Sequence, residues 1–77
     1  MAVKVYSTKT CIWCGKVREF LKEKGIKFTE VDVGSDHEAR HEMIHKSHQM
    51  GVPVTDINGK IIVGYDEEAL KKALKVK

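Results

Sequence analysis

The sequence predicts an α/β fold with elements in the order β-α-β-α-β-β-α, and three observations carry that prediction. Apolar and polar residues alternate with a period of two over residues 2–6 and again over 27–33, the signature of strands. Between them Trp13, Val17, Phe20 and Leu21 recur at helical spacing, so the first third reads as a strand, a helix and a strand. A unit of that kind has parallel strands and a right-handed crossover. Third, Asn58-Gly59 lies between two short strand-forming runs, 54–57 and 60–63. Asn-Gly supplies the two positive-φ positions of a type I′ turn, which makes those runs a hairpin.

Taken in order, Ala2 to Tyr6 form the first strand, and the polar run Ser7-Thr8-Lys9-Thr10 delivers the chain to a helix with Thr10 as the expected N-cap. Lys22 and Lys24 fall in that helix's last turn, and Gly25 is its expected C′ stop. Lys27 to Val33 is the second strand. Gly34 and Ser35 end it, and Ser35 or Asp36 caps a second helix that runs to about Ser47. Pro53 sits just before the third strand. A proline inside a central strand would remove a ladder hydrogen bond, so it belongs in a turn at the strand's entrance. The last helix is expected from Asp66, with Glu67 and Glu68 in its first turn and Lys71, Lys72, Lys75 and Lys77 towards its end, as the helix dipole favours. Leu70, Ala73 and Leu74 are its expected buried stripe.

With 77 residues the chain is expected to be one small domain, 1–77, near the lower size limit for a self-sufficient core. Apolar residues make up 42 % and charged residues 32 %, a globular rather than a disordered balance. The net charge of +3 is spread among acids, without a Lys/Arg cluster interleaved with aromatics, so no nucleic-acid partner is expected. Neither a cleavable leader nor an apolar run of membrane-spanning length is apparent, and the expected location is the cytoplasm with no membrane partner.

The chemistry is concentrated in Cys11-Ile12-Trp13-Cys14, at the junction of the first strand and helix. A purely structural disulfide is a poor reading, because so short a loop removes little entropy from the unfolded chain. A zinc half-site would need two further ligands, and His37, His41, His45 and His48 are the available ones. At ~100° per residue those four histidines fall within an arc of about 80°. Ala39, Met43 and Met50 are expected on the opposite side. A one-helix stripe does not enclose a tetrahedral site, so no metal is expected and the stripe reads as a polar face. Redox chemistry is the preferred reading. The helix N-terminus favours the thiolate of Cys11, the nucleophile, whereas Cys14, one turn in, should titrate higher and act as the resolving thiol. Trp13 is either a substrate contact or a ring at the end of the core.

Three segments, Tyr6-Ser7-Thr8-Lys9-Thr10-Cys11-Ile12-Trp13-Cys14, Ser47-His48-Gln49-Met50-Gly51-Val52-Pro53 and Val63-Gly64-Tyr65-Asp66-Glu67, occur in the same order across essentially the whole chain. Together they resemble the glutaredoxins of the thioredoxin superfamily, especially the short bacterial glutaredoxin-like proteins with Gly-Val-Pro where longer glutaredoxins have Thr-Val-Pro. The Trp-Cys-Gly-Pro-Cys of thioredoxins proper is absent. The resemblance implies a thioredoxin-like four-stranded mixed sheet in the order β2-β1-β3-β4, helices on both its faces, and a cis Pro53 beside Cys11. A backbone edge at Val52 would then pair with an extended substrate.

The resemblance further implies a thiol-disulfide oxidoreductase with no tightly bound cofactor and with glutathione as co-substrate. Its clients would be disulfide-containing or glutathionylated proteins. Carried over by position, Gln49, Val52, Pro53, Gly64, Tyr65 and Asp66 match glutathione-contacting positions, with Lys9 and Trp13 as further candidates. The family's basic residue three before the nucleophile is Thr8 here, with the lysine one later at Lys9, and Val63 replaces one glycine of a Gly-Gly pair. Two alternatives stand beside this reading. One is a redoxin reduced by thioredoxin reductase that serves an enzyme such as ribonucleotide reductase, although Asp66-Glu67 replaces the Arg-Pro such proteins carry. The other is a metal or iron–sulfur carrier using Cys11.

Overall fold

The computed structural model describes residues 3–75. Its elements are β1 (Val3–Ser7), α1 (Ile12–Glu23), β2 (Thr29–Asp32), α2 (His37–Ser47), β3 (Val54–Ile57), β4 (Lys60–Val63) and α3 (Glu67–Leu74), in the expected order. Ala2, placed in the first strand by its sequence, and Lys77, placed near the last helix's end, lie outside the described residues. The strands form one mixed sheet in the order β2-β1-β3-β4. β1 pairs in parallel with β2, and the β1–β3 and β3–β4 pairs are antiparallel.

The period-two pattern sorts side chains onto two faces. Val3, Val5, Ile57 and Ile62 face α1 and α3, meeting Val17, Phe20, Leu21, Leu70 and Leu74. Tyr6 and Val54 face the other way, towards Ala39 and Met43 of α2 and towards Val33. Helices therefore cover both faces of the sheet. The Tyr6 hydroxyl donates to Glu42, Lys4 Nζ reaches the same carboxylate at 2.9 Å, and Lys46 Nζ bonds Asp56 at 2.7 Å. These contacts tie α2 to β1 and β3 across the sheet.

Local chemistry sets the element ends. After α1, the Gly25 N–H bonds Lys22 O at 3.1 Å and the Ile26 N–H bonds Leu21 O at 2.9 Å, with Gly25 at φ +70°. That is a Schellman stop. Asp36 and Asp66 cap α2 and α3 through Oδ1, each accepting an N–H at 3.1 Å, so Asp66 is the cap and Glu67 the first helical residue. Asn58 and Gly59 take φ +51° and +92° in the hairpin turn. The regular part of β2 is shorter than 27–33: pairing begins at Lys4 opposite Thr29, and Val33 follows the strand with its N–H on Ser7 O at 2.9 Å.

Three local expectations are corrected. The N-cap of α1 is Cys11, not Thr10, because the Cys11 N–H closes a turn onto Thr8 O and holds Thr10 inside that turn. Trp13 does not join the buried stripe of α1 and is 56 % exposed. Met50 does not join Ala39 and Met43 in the core: α2 ends at Ser47, His48 turns the chain at φ +60°, and Met50 is exposed beyond it. Among the described residues no helix is long and apolar enough to cross a membrane.

Candidate active site

The two cysteines are both free thiols and occupy different environments. Cys11 stands at the cap of α1 with φ −87° and ψ 114°, partly exposed, and its Sγ accepts the Cys14 N–H at 3.2 Å. Sulfur thus takes the place of the oxygen that usually satisfies a free N–H in a helix's first turn. Cys14 is fully buried. Burial pushes its thiol up to about 12, the hydrogen bond and charge of Cys11 push in the same direction, and the Thr8 backbone and the Arg18 charge oppose them. Residues three apart on a helix start therefore give one accessible sulfur and one shielded, protonated one.

Arg18, one turn beyond Cys14, was not singled out by its sequence. Its guanidinium bonds Glu30 of β2 at 2.6 Å, and Glu30 also accepts from Ser7 Oγ at 3.2 Å. Glu30 first, and the two cysteine sulfurs after it, hold the Arg18 proton more tightly than usual. The i, i+4 spacing from Cys14 to Arg18 was the available signal.

On the β3 side of α1, Trp13, Val52, Pro53, Gly64 and Tyr65 line a cleft of about 280 Å³. The Val52-Pro53 bond is cis. Trp13 and Tyr65 stack with ring centroids 6.2 Å apart and planes 22° from parallel. Gly64, at φ +76°, donates its N–H to Pro53 O at 2.7 Å, which ties the segment before α3 to the proline. So five of the sequence-derived site residues come together. Trp13 lines this cleft against Tyr65 and is not packed at the end of the core.

The others are placed elsewhere. Lys9 is exposed and lines a separate hollow with Thr8, Thr10, Asp32, Gly34 and Ser35, towards β2. Gln49 is folded against its own loop, bonded to Ser47 and Gly51. Asp66 spends Oδ1 on the Ala69 N–H. His37, His41, His45 and His48 are exposed, and among the described residues no three His, Cys, Asp or Glu side chains group as a metal cage.

The glutaredoxin family model matches residues 3–62. A glutaredoxin-like 8.6 kDa protein of the rubredoxin operon of Clostridium pasteurianum is 47 % identical over 72 residues, covering 94 % of this chain and 96 % of its own. Glutaredoxin 3 of Escherichia coli K12 is 32 % identical over 65 residues, 84 % of this chain and 78 % of its own. Among solved structures, glutaredoxin 1 of Archaeoglobus fulgidus superposes with a TM-score of 0.89 at 30 % identity, covering 97 % of this chain and 88 % of its own.

Proposed function

Since this chain belongs to the glutaredoxin family of the thioredoxin superfamily, we propose that it is a dithiol thiol-disulfide oxidoreductase that reduces protein disulfides or glutathione mixed disulfides in the cytoplasm, with glutathione as reductant. The observation that carries the reading is the asymmetry of the pair: an accessible Cys11 sulfur facing a helix N–H, and a buried Cys14 whose thiol is pushed up to about 12. In the first step the Cys11 thiolate attacks one sulfur of the substrate. The substrate S–S bond breaks, a Cys11–substrate bond forms, and the other substrate sulfur leaves as a thiolate.

Once Cys11 is in that mixed disulfide it carries no negative charge. Two of the causes that keep Cys14 protonated, the charge of Cys11 and its hydrogen bond, weaken while burial remains. Cys14 then loses its proton and attacks Cys11 Sγ, releasing the second substrate thiolate and leaving a Cys11–Cys14 disulfide. Two glutathione thiols return that disulfide to the dithiol and become glutathione disulfide. Alternatively, one glutathione resolves the mixed disulfide directly. The Trp13, Val52, Pro53, Gly64 and Tyr65 cleft is the proposed docking edge, where an extended substrate backbone pairs with Val52.

A second reading, a redoxin recycled by thioredoxin reductase, is favoured by the positions of Lys9 and Gln49, neither of which lines the cleft. The deciding experiment reduces a glutathione mixed disulfide with NADPH, once with glutathione and glutathione reductase and once with thioredoxin reductase alone. Turnover in the first arm supports glutathione as reductant; turnover confined to the second replaces it with the reductase. Cys11→Ser should abolish turnover in either arm. Activity comparable to the parent in that variant would overturn the whole assignment.

A further inference from the structure

The residues before the cis proline are held by a side chain. The Ser47 hydroxyl, at the end of α2, faces Met43 O at 2.7 Å and Gln49 O at 3.0 Å and accepts from Gln49 Nε2 at 3.2 Å. The same Nε2 donates to Gly51 O at 2.9 Å, and Gln49 Oε1 accepts the Gly51 N–H at 2.6 Å. The carboxamide therefore pairs with both backbone groups of Gly51, as a neighbouring strand would. A carboxamide has two N–H hydrogens, and Ser47 and Gly51 take both. None is left for a carboxylate of glutathione.

Glycine at position 51 is the other half of this arrangement. A Cβ there would lie 2.7 Å from Gln49 Oε1. Gly51 is not among the residues at positive φ, so what a side chain there would displace is the Gln49 carboxamide, not the backbone conformation. We propose that Gln49 and Gly51 are a matched positioning pair: the carboxamide fixes the Gly51 peptide and thereby aims the backbone N–H and C=O of the next residue, Val52, along the cleft where substrate meets Cys11. This rests on the docking edge proposed above. Gln49 acts through Val52 and does not touch substrate.

The pairing makes a prediction that a direct glutathione contact does not. Gly51→Ala is sterically allowed only if the carboxamide leaves, so it should reproduce Gln49→Ala, and the double variant should be no worse than either. Kinetics are measured on a glutathione mixed disulfide and on a disulfide peptide without glutathione, both recycled with dithiothreitol. Each single variant and the double should raise KM about fivefold on both substrates, the loss of one to two hydrogen bonds, with kcat within about twofold.

Amide exchange at residue 51, whose N–H the carboxamide holds, should quicken about tenfold relative to its intrinsic rate and equally in all three. Effects that multiply in the double variant overturn the proposal. So does a Gln49→Ala defect confined to the glutathione substrate and spared by Gly51→Ala, which would make Gln49 a direct ligand. If the parent protein turns over neither substrate, the activity reading fails by itself. The exchange rates then decide the clamp, and unequal rates in the three variants refute it.

Discussion

Selective alkylation of Cys14 tests the electrostatics of the pair directly. Its thiol is raised from an ordinary 9.0 to about 12. At pH 8 the thiolate fraction is then lower by about a thousandfold, equivalent to ~4 kcal/mol. Iodoacetamide reacts with thiolate, so folded Cys14 should label at least about a thousandfold more slowly than the same residue in urea, unless local opening of α1 supplies a faster route. Peptide mass spectrometry after timed quenching separates Cys14 from Cys11, which should label first. In Cys11→Ser the sulfur's charge and hydrogen bond are gone while burial, the largest cause, remains. Cys14 should therefore label faster than in the parent yet far more slowly than in urea. Labelling of folded Cys14 within about tenfold of the unfolded rate would refute the protonated, shielded thiol. An unchanged rate in Cys11→Ser would refute the argument that engaging Cys11 primes Cys14.

Two further predictions concern the scaffold. The Tyr6 hydroxyl, then Lys4, lower Glu42 from 4.5 to about 2, so its contribution to stability is present above 4.5 and is lost as pH falls through about 2. The full shift would be worth ~3 kcal/mol, but Glu42 is 43 % exposed and solvent screening reduces this to about 1 kcal/mol. Urea unfolding should show Glu42→Gln less stable by about that amount at pH 7, with the gap closing between pH 4 and pH 2; a gap independent of pH would refute the charge argument. The Thr55 hydroxyl is fully buried opposite Val5 and Ile62 and has no partner among the described residues. Thr55→Val should stabilise the fold by about 1 kcal/mol, and a lower urea midpoint would mean the hydroxyl is satisfied in solution.

What the sequence made legible was local. Asn58-Gly59, Gly25, Asp36 and Asp66 each set a turn or a helix end through their own backbone or a residue three away, and each does so in the structure. The Cys14 shift was legible too, because Cys14 lies one turn into the helix, three residues before Val17 and on the same buried face. Helical angles failed at helix ends. Trp13 lies within the angular stripe of Val17 and Phe20, but from the first turn its ring reaches Tyr65. Met50 lies after His48 has left helical geometry, where 100° per residue no longer applies. Contacts such as Tyr6 to Glu42, 36 residues apart, carry no local signal at all. Lys9 shows the same limit at short range: two residues before Cys11, it sits on the β2 side, and proximity in sequence did not place it at the cleft.

The capping role of Cys11 joins fold to proposed chemistry. The Cys14 N–H has no intrahelical acceptor in the first turn and finds the Cys11 sulfur at 3.2 Å. An N–H donor interacts more strongly with a charged sulfur than with one bound in a disulfide. In the proposed cycle the first glutathione attacks the accessible Cys11 sulfur and displaces Cys14, and the N–H then favours Cys11 as the sulfur that leaves when the second glutathione attacks the glutathione sulfur of that mixed disulfide. Burial acts on Cys14 in the opposite sense, against charge. The two effects come from one helical turn and reinforce each other. In the proposed cycle charge is kept off the inner sulfur until the outer one, where substrate arrives, has reacted.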